Sequence, residues 1–125
     1  MRQLLDTHLV LWWMEGEVSK ISERALAALG SEGMEPVVSA VTVWEVAIKR
    51  SLGKVKARAG MLDEIERAGV ELLPVTARHA DLVASLPLHH RDPFDRLLVA
   101  QATAENIPLV TDDDSLRRYD VEVIW

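Results

Sequence analysis

Short apolar runs alternate with capped helical segments along the whole chain, and this alternation restricts the possible folds more than any other feature. Ser22, Thr76 and Asp92 are each suited to cap a helix, and Pro93 occupies the first helical position that proline favours. Strands separated by helices pair in parallel βαβ units, so the pattern predicts an α/β fold. Strands are expected over 2–5, 36–39, 70–75, 107–111 and 121–124, and helices over 8–14, 23–29, 41–52, 61–68, 77–85, 93–105 and, as a short turn, 114–118.

The composition indicates a globular chain with its own hydrophobic core. Of the 125 residues 49% are hydrophobic, which argues against disorder, and the length suits a single domain over residues 1–125. The absence of cysteine excludes disulfides, thiolate metal sites and cysteine nucleophiles. No apolar run approaches the roughly 18 residues of a membrane span, and Asp6 precedes any complete signal-peptide core. We therefore expect a cytoplasmic protein that does not associate with membranes.

Four acidic residues lie where a parallel sheet would bring them together. Asp6 follows the first predicted strand, Asp113 follows the fourth, Asp95 lies in the first turn of a helix, and Glu45 lies inside a helix with apolar residues on both sides of it. Open α/β sheets bind their ligands beyond the carboxyl ends of the strands. Carboxylates gathered there repel one another, and a hard divalent cation with oxygen ligands relieves the repulsion.

Each acidic residue also has a purely structural interpretation. Asp6 and Asp95 suit helix starts, where negative charge is favourable. Glu45 is spaced for an ion pair with Lys49, which is worth about 0.2–0.5 kcal/mol on a helix surface, and Asp113 belongs to a run of aspartates that suits a turn. These interpretations need a separate coincidence for each residue, whereas a single metal site accounts for all of them.

Other kinds of site lack the spacing that they require. The histidines do not form a His-Glu-x-x-His pattern, and His89 and His90 are expected at the surface before a proline-containing loop. A Gly-x-Ser-x-Gly elbow and glycine-rich phosphate loops are absent. A phosphotransfer receiver domain needs an acidic pair after the first strand and an aspartate after the third, and the sequence has neither.

A basic segment interrupts this acidic chain, whose net charge is −6. Between positions 49 and 58 it contains no acidic residue and five basic ones, namely Lys49, Arg50, Lys54, Lys56 and Arg58. Two interpretations remain: a solvated helix end, where cations are favourable, or a patch that contacts nucleic-acid phosphates.

The tryptophans also leave two interpretations. Adjacent Trp12 and Trp13 project about 100° apart on a helix, so a small core does not bury both completely. An exposed tryptophan is typical of an interface, and the alternative is a broad stripe that faces the core.

Four segments together resemble the PIN domain, and more narrowly the VapC-type toxins of bacterial and archaeal toxin–antitoxin pairs. They are LDTH at 5–8, VWEVAIK at 43–49, DPFDRLLVAQA at 92–102 and PLVTDD at 108–113. Their order and spacing extend the resemblance over essentially the whole chain, and the segment at 92–102 is the most specific.

The resemblance implies a three-layer α/β/α sandwich with a central parallel sheet of four or five strands. It also implies an endoribonuclease, a hydrolase of RNA phosphodiester bonds that depends on Mg²⁺ or Mn²⁺. The family's catalytic and metal-binding carboxylates correspond to Asp6, Glu45, Asp95 and Asp113. Thr111 is expected to orient the site through a hydroxyl hydrogen bond.

The three aspartates at 112–114 leave the fourth position open between Asp112 and Asp113. The family's Thr-x-Asp pattern selects Asp113. Asp114 stands directly before Ser115 and is expected to cap the helical turn that follows.

The resemblance further implies partners. The expected substrate is RNA, whose backbone would contact Lys49, Lys54, Lys56 and Arg58. The expected protein partners are a cognate antitoxin that blocks the site and a second copy of the chain in a homodimer. The alternative is a catalytically silent PIN-like fold kept for protein binding, which the loss of an acidic residue would indicate.

Overall fold

The computed structural model describes residues 1–55 and 60–125 of the chain. In this part of the chain all strands are parallel and form one sheet, which confirms the predicted fold class. The strands are β1 (Arg2–Leu5), β2 (Glu35–Ser39), β3 (Glu71–Leu73), β4 (Leu109–Val110) and β5 (Val123–Ile124). Their order across the sheet is β3-β2-β1-β4-β5.

Helices connect these strands. They are α1 (Thr7–Met14), α2 (Glu23–Gly30), α3 (Ala40–Ser51), α4 (Met61–Arg67), α5 (Ala77–Leu82) and α6 (Pro93–Glu105), with 3-10 turns at Val18–Lys20, Val83–Ser85 and Asp114–Arg118. The predicted caps are confirmed: the side chains of Ser22, Thr76 and Asp92 each accept a hydrogen bond from a backbone N–H in the first helical turn.

Successive residues of the central strands point to opposite faces of the sheet, and each face has its own apolar core. Leu5, Val38 and Val110 pack with residues of α1, α2 and α4 on one face. Leu4, Val37 and Leu109 pack with residues of α6 on the other. All six of these strand side chains are fully buried. Burial of each one stabilises the fold by about 1.5–3 kcal/mol relative to leaving it exposed. The result is the three-layer α/β/α sandwich that the resemblance implied.

The observed elements differ from the expected ones mainly at their ends. The third, fourth and fifth strands are shorter than predicted. Pro74 directly follows β3 and Pro108 directly precedes β4, and proline lacks the N–H that a ladder needs, while β5 pairs only with the two residues of β4. The expected helix over 77–85 divides into α5 and a 3-10 turn. Gly30, predicted to lie just past its helix, is instead the last residue of α2, and Ser31 follows as the C-cap.

The order in which the chain adds strands to the sheet reverses at the central strand, β1. The chain proceeds from β1 to β2 and β3 on one side, then returns to place β4 on the other side of β1. Leu5 is in register with Val110, and the backbone N–H of Asp6 donates to the Val110 carbonyl oxygen at 3.0 Å. The carboxyl ends of β1 and β4 therefore open into the crevice where such sheets bind ligands.

None of the helices in the described part of the chain has the length and apolar character that crossing a bilayer demands.

Candidate metal centre

Asp6 lies at the carboxyl end of β1 and serves two elements. Its Oδ1 caps α1 by accepting a hydrogen bond from the His8 backbone N–H at 2.6 Å, and its Oδ2 accepts one from the Thr111 hydroxyl. The residue is only 3% exposed. Asp6 is thus a helix cap through Oδ1, as one interpretation expected, while Oδ2 is bound at the end of β4.

Thr111 links the ends of the two neighbouring strands. Its hydroxyl donates to Asp6 Oδ2 and accepts from the Asp113 backbone N–H at 3.1 Å. Because Thr111 is 1% exposed, this geometry is shielded from water. The hydroxyl sets the rotamer of Asp6 and the direction in which the backbone leaves β4.

Glu45 presents a buried carboxylate from α3. Its Oε2 pairs with Lys49 Nζ at 2.5 Å, so the i,i+4 ion pair anticipated from the spacing is present. The Glu45 side chain is only 3% exposed, however, and its Oε1 has no hydrogen-bond partner among the described residues. An unpaired buried carboxylate oxygen is costly, and a bound cation is the kind of partner that removes the cost.

Asp95 lies in the first turn of α6, and its pKa is raised by burial and by the neighbouring carboxylates. Burial raises the pKa of its carboxyl to about 7, assisted by the negative charges of Asp92, Asp6 and Glu45 and opposed by His90. Carboxylates from β1, α3 and α6 are therefore close enough to oppose one another's ionisation. This is the convergence that the topology predicted.

Asp113 is held through both of its oxygens. Oδ1 accepts from the Ser115 backbone N–H at 2.9 Å and from the Ser115 hydroxyl at 2.6 Å, while Oδ2 lies 3.1 Å from His90 Nε2. Burial alone would raise the pKa of Asp113, but the hydrogen bonds from Ser115 and His90 outweigh it and lower the pKa.

The cap of the last 3-10 turn is Asp113, so the expectation that Asp114 caps it is wrong. An aspartate oxygen readily reaches the N–H two residues further on, which for Asp113 is that of Ser115. The Asp114 side chain is 95% exposed and lies 3.3 Å from Arg117, outside the crevice.

His90 is the site residue that the sequence interpretation missed. It was expected at the surface, yet its side chain is only 19% exposed and its Nε2 lies 3.1 Å from Asp113 Oδ2 and 3.4 Å from Asp95 Oδ2. Its neighbour His89 is exposed, as expected. The available signal was position: His90 stands two residues before the cap of α6, where a side chain can turn back over the helix start.

The donor set suits a hard divalent cation. His90, Asp95 and Asp113 each offer a ligand-type atom, and these atoms all lie within 4.8 Å of one another. Asp6 and Glu45 add buried carboxylates, one with an unpartnered oxygen. Sites rich in carboxylate oxygen bind Mg²⁺ or Mn²⁺ in preference to softer metals.

The structure describes only part of the basic segment. Lys49 Nζ is directed at Glu45, and the charges of Glu45, Asp92 and Asp95 raise the pKa of Lys49, the hydrogen bond with Glu45 contributing most. Lys54 is exposed. Lys56 and Arg58 lie outside the described residues.

The two tryptophan interpretations separate by position. Trp12 and Trp13 are partly buried and pack against the core on the α1 face, as a core-facing stripe requires. Trp44 is 56% exposed and lies edge-on to Phe94, with ring centroids 5.0 Å apart. The exposed aromatic surface is therefore on α3 and α6, not on α1.

A parallel α/β sandwich with carboxylates converging at the switch point of its sheet defines a class of metal-binding domains. The PIN domain family matches residues 4–122 of this chain, and the chain belongs to that family.

Individual relatives agree with this assignment. The chain is 29% identical over 119 residues to Ribonuclease VapC22 of Mycobacterium tuberculosis, an alignment that covers 93% of this chain and 90% of that protein. It is similar in fold to VapBC2 from Rickettsia felis bound to a DNA fragment from their promoter, with a TM-score of 0.67, 16% identity and coverage of 98% of this chain and 97% of that one. A second similar structure is VapBC-5 from Mycobacterium tuberculosis, with a TM-score of 0.62, 24% identity and coverage of 98% and 96%. The predicted resemblance to VapC-type PIN proteins is confirmed.

Proposed function

We propose that this protein is a metal-dependent endoribonuclease and the toxin component of a toxin–antitoxin pair. The observation that carries the proposal is the buried carboxylate of Glu45, whose Oε1 has no hydrogen-bond partner among the described residues. Its charge adds to the burial that raises the pKa of Asp95 to about 7. Membership of the PIN family and similarity to a protein named as a VapC ribonuclease support the activity.

Asp6, Glu45, Asp95 and Asp113 are the residues that would hold one or two ions, Mg²⁺ or Mn²⁺. Such an ion, when bound, polarises the phosphoryl oxygens, lowers the pKa of a water and offsets charge on the leaving oxygen. The chain itself needs no nucleophile. Water adds to phosphorus, the bond from phosphorus to the 3′ oxygen breaks, and the products carry 5′-phosphate and 3′-hydroxyl ends.

The surrounding residues orient this machinery. The Thr111 hydroxyl holds Asp6 and the backbone of Asp113 in one arrangement. Lys49 forms an ion pair with Glu45, and the charges of Asp92 and Asp95 also raise the pKa of its ammonium. The ammonium would therefore lie near a phosphate bound in the site. Lys54, Lys56 and Arg58 complete the proposed contacts with the RNA backbone.

The alternative, a silent PIN-like module that only binds protein, is not favoured. A module of that kind has no use for buried carboxylates that repel one another, yet all four acidic residues are present. Asp95 and Glu45 impose an electrostatic cost on the fold that metal binding offsets.

The proposal includes the setting in which the enzyme works. The chain acts as a single domain, bound in the cell by a cognate antitoxin and assembled as a homodimer. The similar structures from Rickettsia felis and Mycobacterium tuberculosis are VapBC systems, which supports an antitoxin partner. A cytoplasmic location is consistent with a chain that contains no cysteine.

RNA cleavage by the purified chain tests the activity. Structured and single-stranded RNA should be cut with Mg²⁺ or Mn²⁺ and left intact with EDTA, and added metal should raise the unfolding temperature by mass action. Asp6→Asn should abolish cleavage and keep the fold, because asparagine still caps α1. Asp114→Asn is the matched control, since Asp114 is exposed and outside the site. Full activity in EDTA would contradict the proposed function.

A further inference from the structure

Arg96, in the DPFDR segment, holds the loop that precedes α6. Nη1 donates to the carbonyl oxygens of Pro87 at 3.0 Å and His90 at 3.4 Å, and Nη2 donates to those of Val83 at 3.1 Å and Leu86 at 3.4 Å. A guanidinium more often forms paired hydrogen bonds with a carboxylate or phosphate. These donors are instead occupied by backbone carbonyls, so they are not free to contact RNA.

Tyr119 joins the same assembly from the far end of the last 3-10 turn. Its hydroxyl oxygen accepts from Arg96 Nη1 at 3.2 Å and from the His90 backbone N–H at 3.0 Å. Tyr119 is 4% exposed, and its ring meets that of His89 at a centroid distance of 5.1 Å. The backbone of His90 is thus held at both of its peptide groups, through its N–H and through its carbonyl oxygen.

The hydrogen bonds of the His90 ring determine which nitrogen carries the proton. The Asp92 backbone N–H donates to Nδ1 at 3.0 Å, so Nδ1 presents its lone pair. In the neutral ring the proton is then on Nε2. That N–H faces Asp113 Oδ2 at 3.1 Å and Asp95 Oδ2 at 3.4 Å. A protonated Nε2 has no lone pair for a metal, which makes His90 a donor to the carboxylates and not a ligand.

We propose that His90, held in place by Arg96 and Tyr119, is a positioning residue that orients Asp113 and Asp95 for the metal. The inference rests on the proposed function, since it concerns the same site. It assigns to Arg96 a role in arranging the carboxylates, away from the substrate.

The arrangement around Asp113 gives this role its effect. Ser115 holds Oδ1 and His90 holds Oδ2, so the carboxylate plane is set before any cation arrives. Without the His90 donor, Asp113 keeps its Ser115 bonds but is free to rotate its second oxygen, and Asp95 loses the ring nitrogen that lies 3.4 Å from its Oδ2. Removing such an outer partner weakens metal binding by about 10–100-fold.

Two substitutions at His90 test the roles of its two ring nitrogens one at a time. In His90→Asn the amide oxygen takes the place of Nδ1 and still accepts from Asp92, but the donor toward the carboxylates is gone. In His90→Gln the amide nitrogen takes the place of Nε2 and restores that donor. His89→Asn is the matched control, because the ring of His89 contacts Tyr119 and not the carboxylates.

The measurement is the affinity of the metal-free full chain for Mn²⁺, followed by calorimetry and by the electron paramagnetic resonance signal of free Mn²⁺. We expect His90→Asn to weaken binding by about 10–100-fold, His90→Gln to remain close to wild type, and His89→Asn to be unchanged. Arg96→Lys should weaken Mn²⁺ binding as well, because lysine cannot reach four carbonyls at once. Unfolding temperatures of the same variants show whether any loss merely follows global stability.

The outcomes distinguish this inference from the proposed function. If the wild type binds Mn²⁺ and His90→Asn binds it equally well, the positioning role is wrong while the enzyme proposal stands. A nitrogen coupling from a coordinated imidazole in the pulsed resonance spectrum of bound Mn²⁺, lost in His90→Gln, would make His90 a ligand and overturn the inference. If the wild type does not bind Mn²⁺ and cleaves RNA without metal, the proposed function fails first.

Discussion

Among the carboxyl groups of the site, Asp95 has the pKa that burial and the neighbouring carboxylates raise to about 7. Its folded-state pKa of about 7 is well above the usual 3.8, because burial and the charges of Asp92, Asp6 and Glu45 all disfavour ionisation. Between those two pH values the folded chain holds a proton that the unfolded chain has released. The free energy of unfolding of the metal-free protein therefore falls as pH rises toward 7, and stays reduced above it.

Asp95→Asn tests this assignment. Asparagine resembles the protonated acid, so the metal-free variant should match the wild type near pH 4 and exceed it at pH 8. The expected difference is at most about 4 kcal/mol, since each pKa unit corresponds to about 1.4 kcal/mol. Urea unfolding in EDTA across this pH range measures it. A difference that does not change with pH would mean that Asp95 ionises normally.

The three adjacent aspartates make a second test at the residue scale. Asp113→Asn should reduce cleavage strongly, because Oδ2 lies in the cluster with His90 and Asp95. It should cost little stability, since asparagine still caps the 3-10 turn. Asp114→Asn should cleave nearly as well as wild type. Rates under saturating Mg²⁺ decide the matter. If Asp112→Asn is the most impaired and Asp113→Asn is close to wild type, Asp112 is the fourth carboxylate.

At the scale of the elements, the fold follows from local signals that agree with one another. The capped starts of α2, α5 and α6 and the short apolar runs that form the strands were predicted from the sequence. The strand ends were predicted less well, because a ladder ends where the neighbouring strand stops pairing, as β5 pairs only with the two residues of β4. His90 was missed for a different reason: its place depends on Arg96 in the following helix and on Tyr119, 29 residues further along the chain, and its short distance from the cap of α6 was the one local signal.

The segment that follows α3 carries the next prediction. If Lys54, Lys56 and Arg58 track the RNA backbone, replacing all three with glutamine should weaken RNA binding and reduce the slope of log K against log salt by about 0.7 per lost contact. Binding is measured with the Asp6→Asn variant, so that the RNA is not cut. Replacing exposed Arg24, Arg67 and Arg78 with glutamine removes the same charge elsewhere on the surface and is the control for general charge. An unchanged slope in the triple variant assigns the segment to solvated surface.

Assembly is the question at the scale of the whole molecule. The sequence left Trp12 and Trp13 as either an interface or a core-facing stripe; both pack on the core, and Trp44 is the exposed tryptophan among the described residues. Aromatic residues are enriched in interfaces, and most homo-oligomers are two-fold dimers in which one patch meets its own copy. A two-fold dimer that uses Trp44 buries an aromatic side chain that the monomer leaves 56% exposed.

Light scattering at micromolar concentration should accordingly report about twice the 14.0 kDa of one chain. Trp44→Glu should reduce the mass to that of a monomer, because two buried glutamates would face each other across the axis. Val18→Glu adds the same charge at an exposed apolar residue on the connection from α1 to α2 and should leave the dimer intact. A wild-type mass of about 14 kDa would refute the dimer, whereas a dimeric Trp44→Glu would show that the two copies meet through another surface.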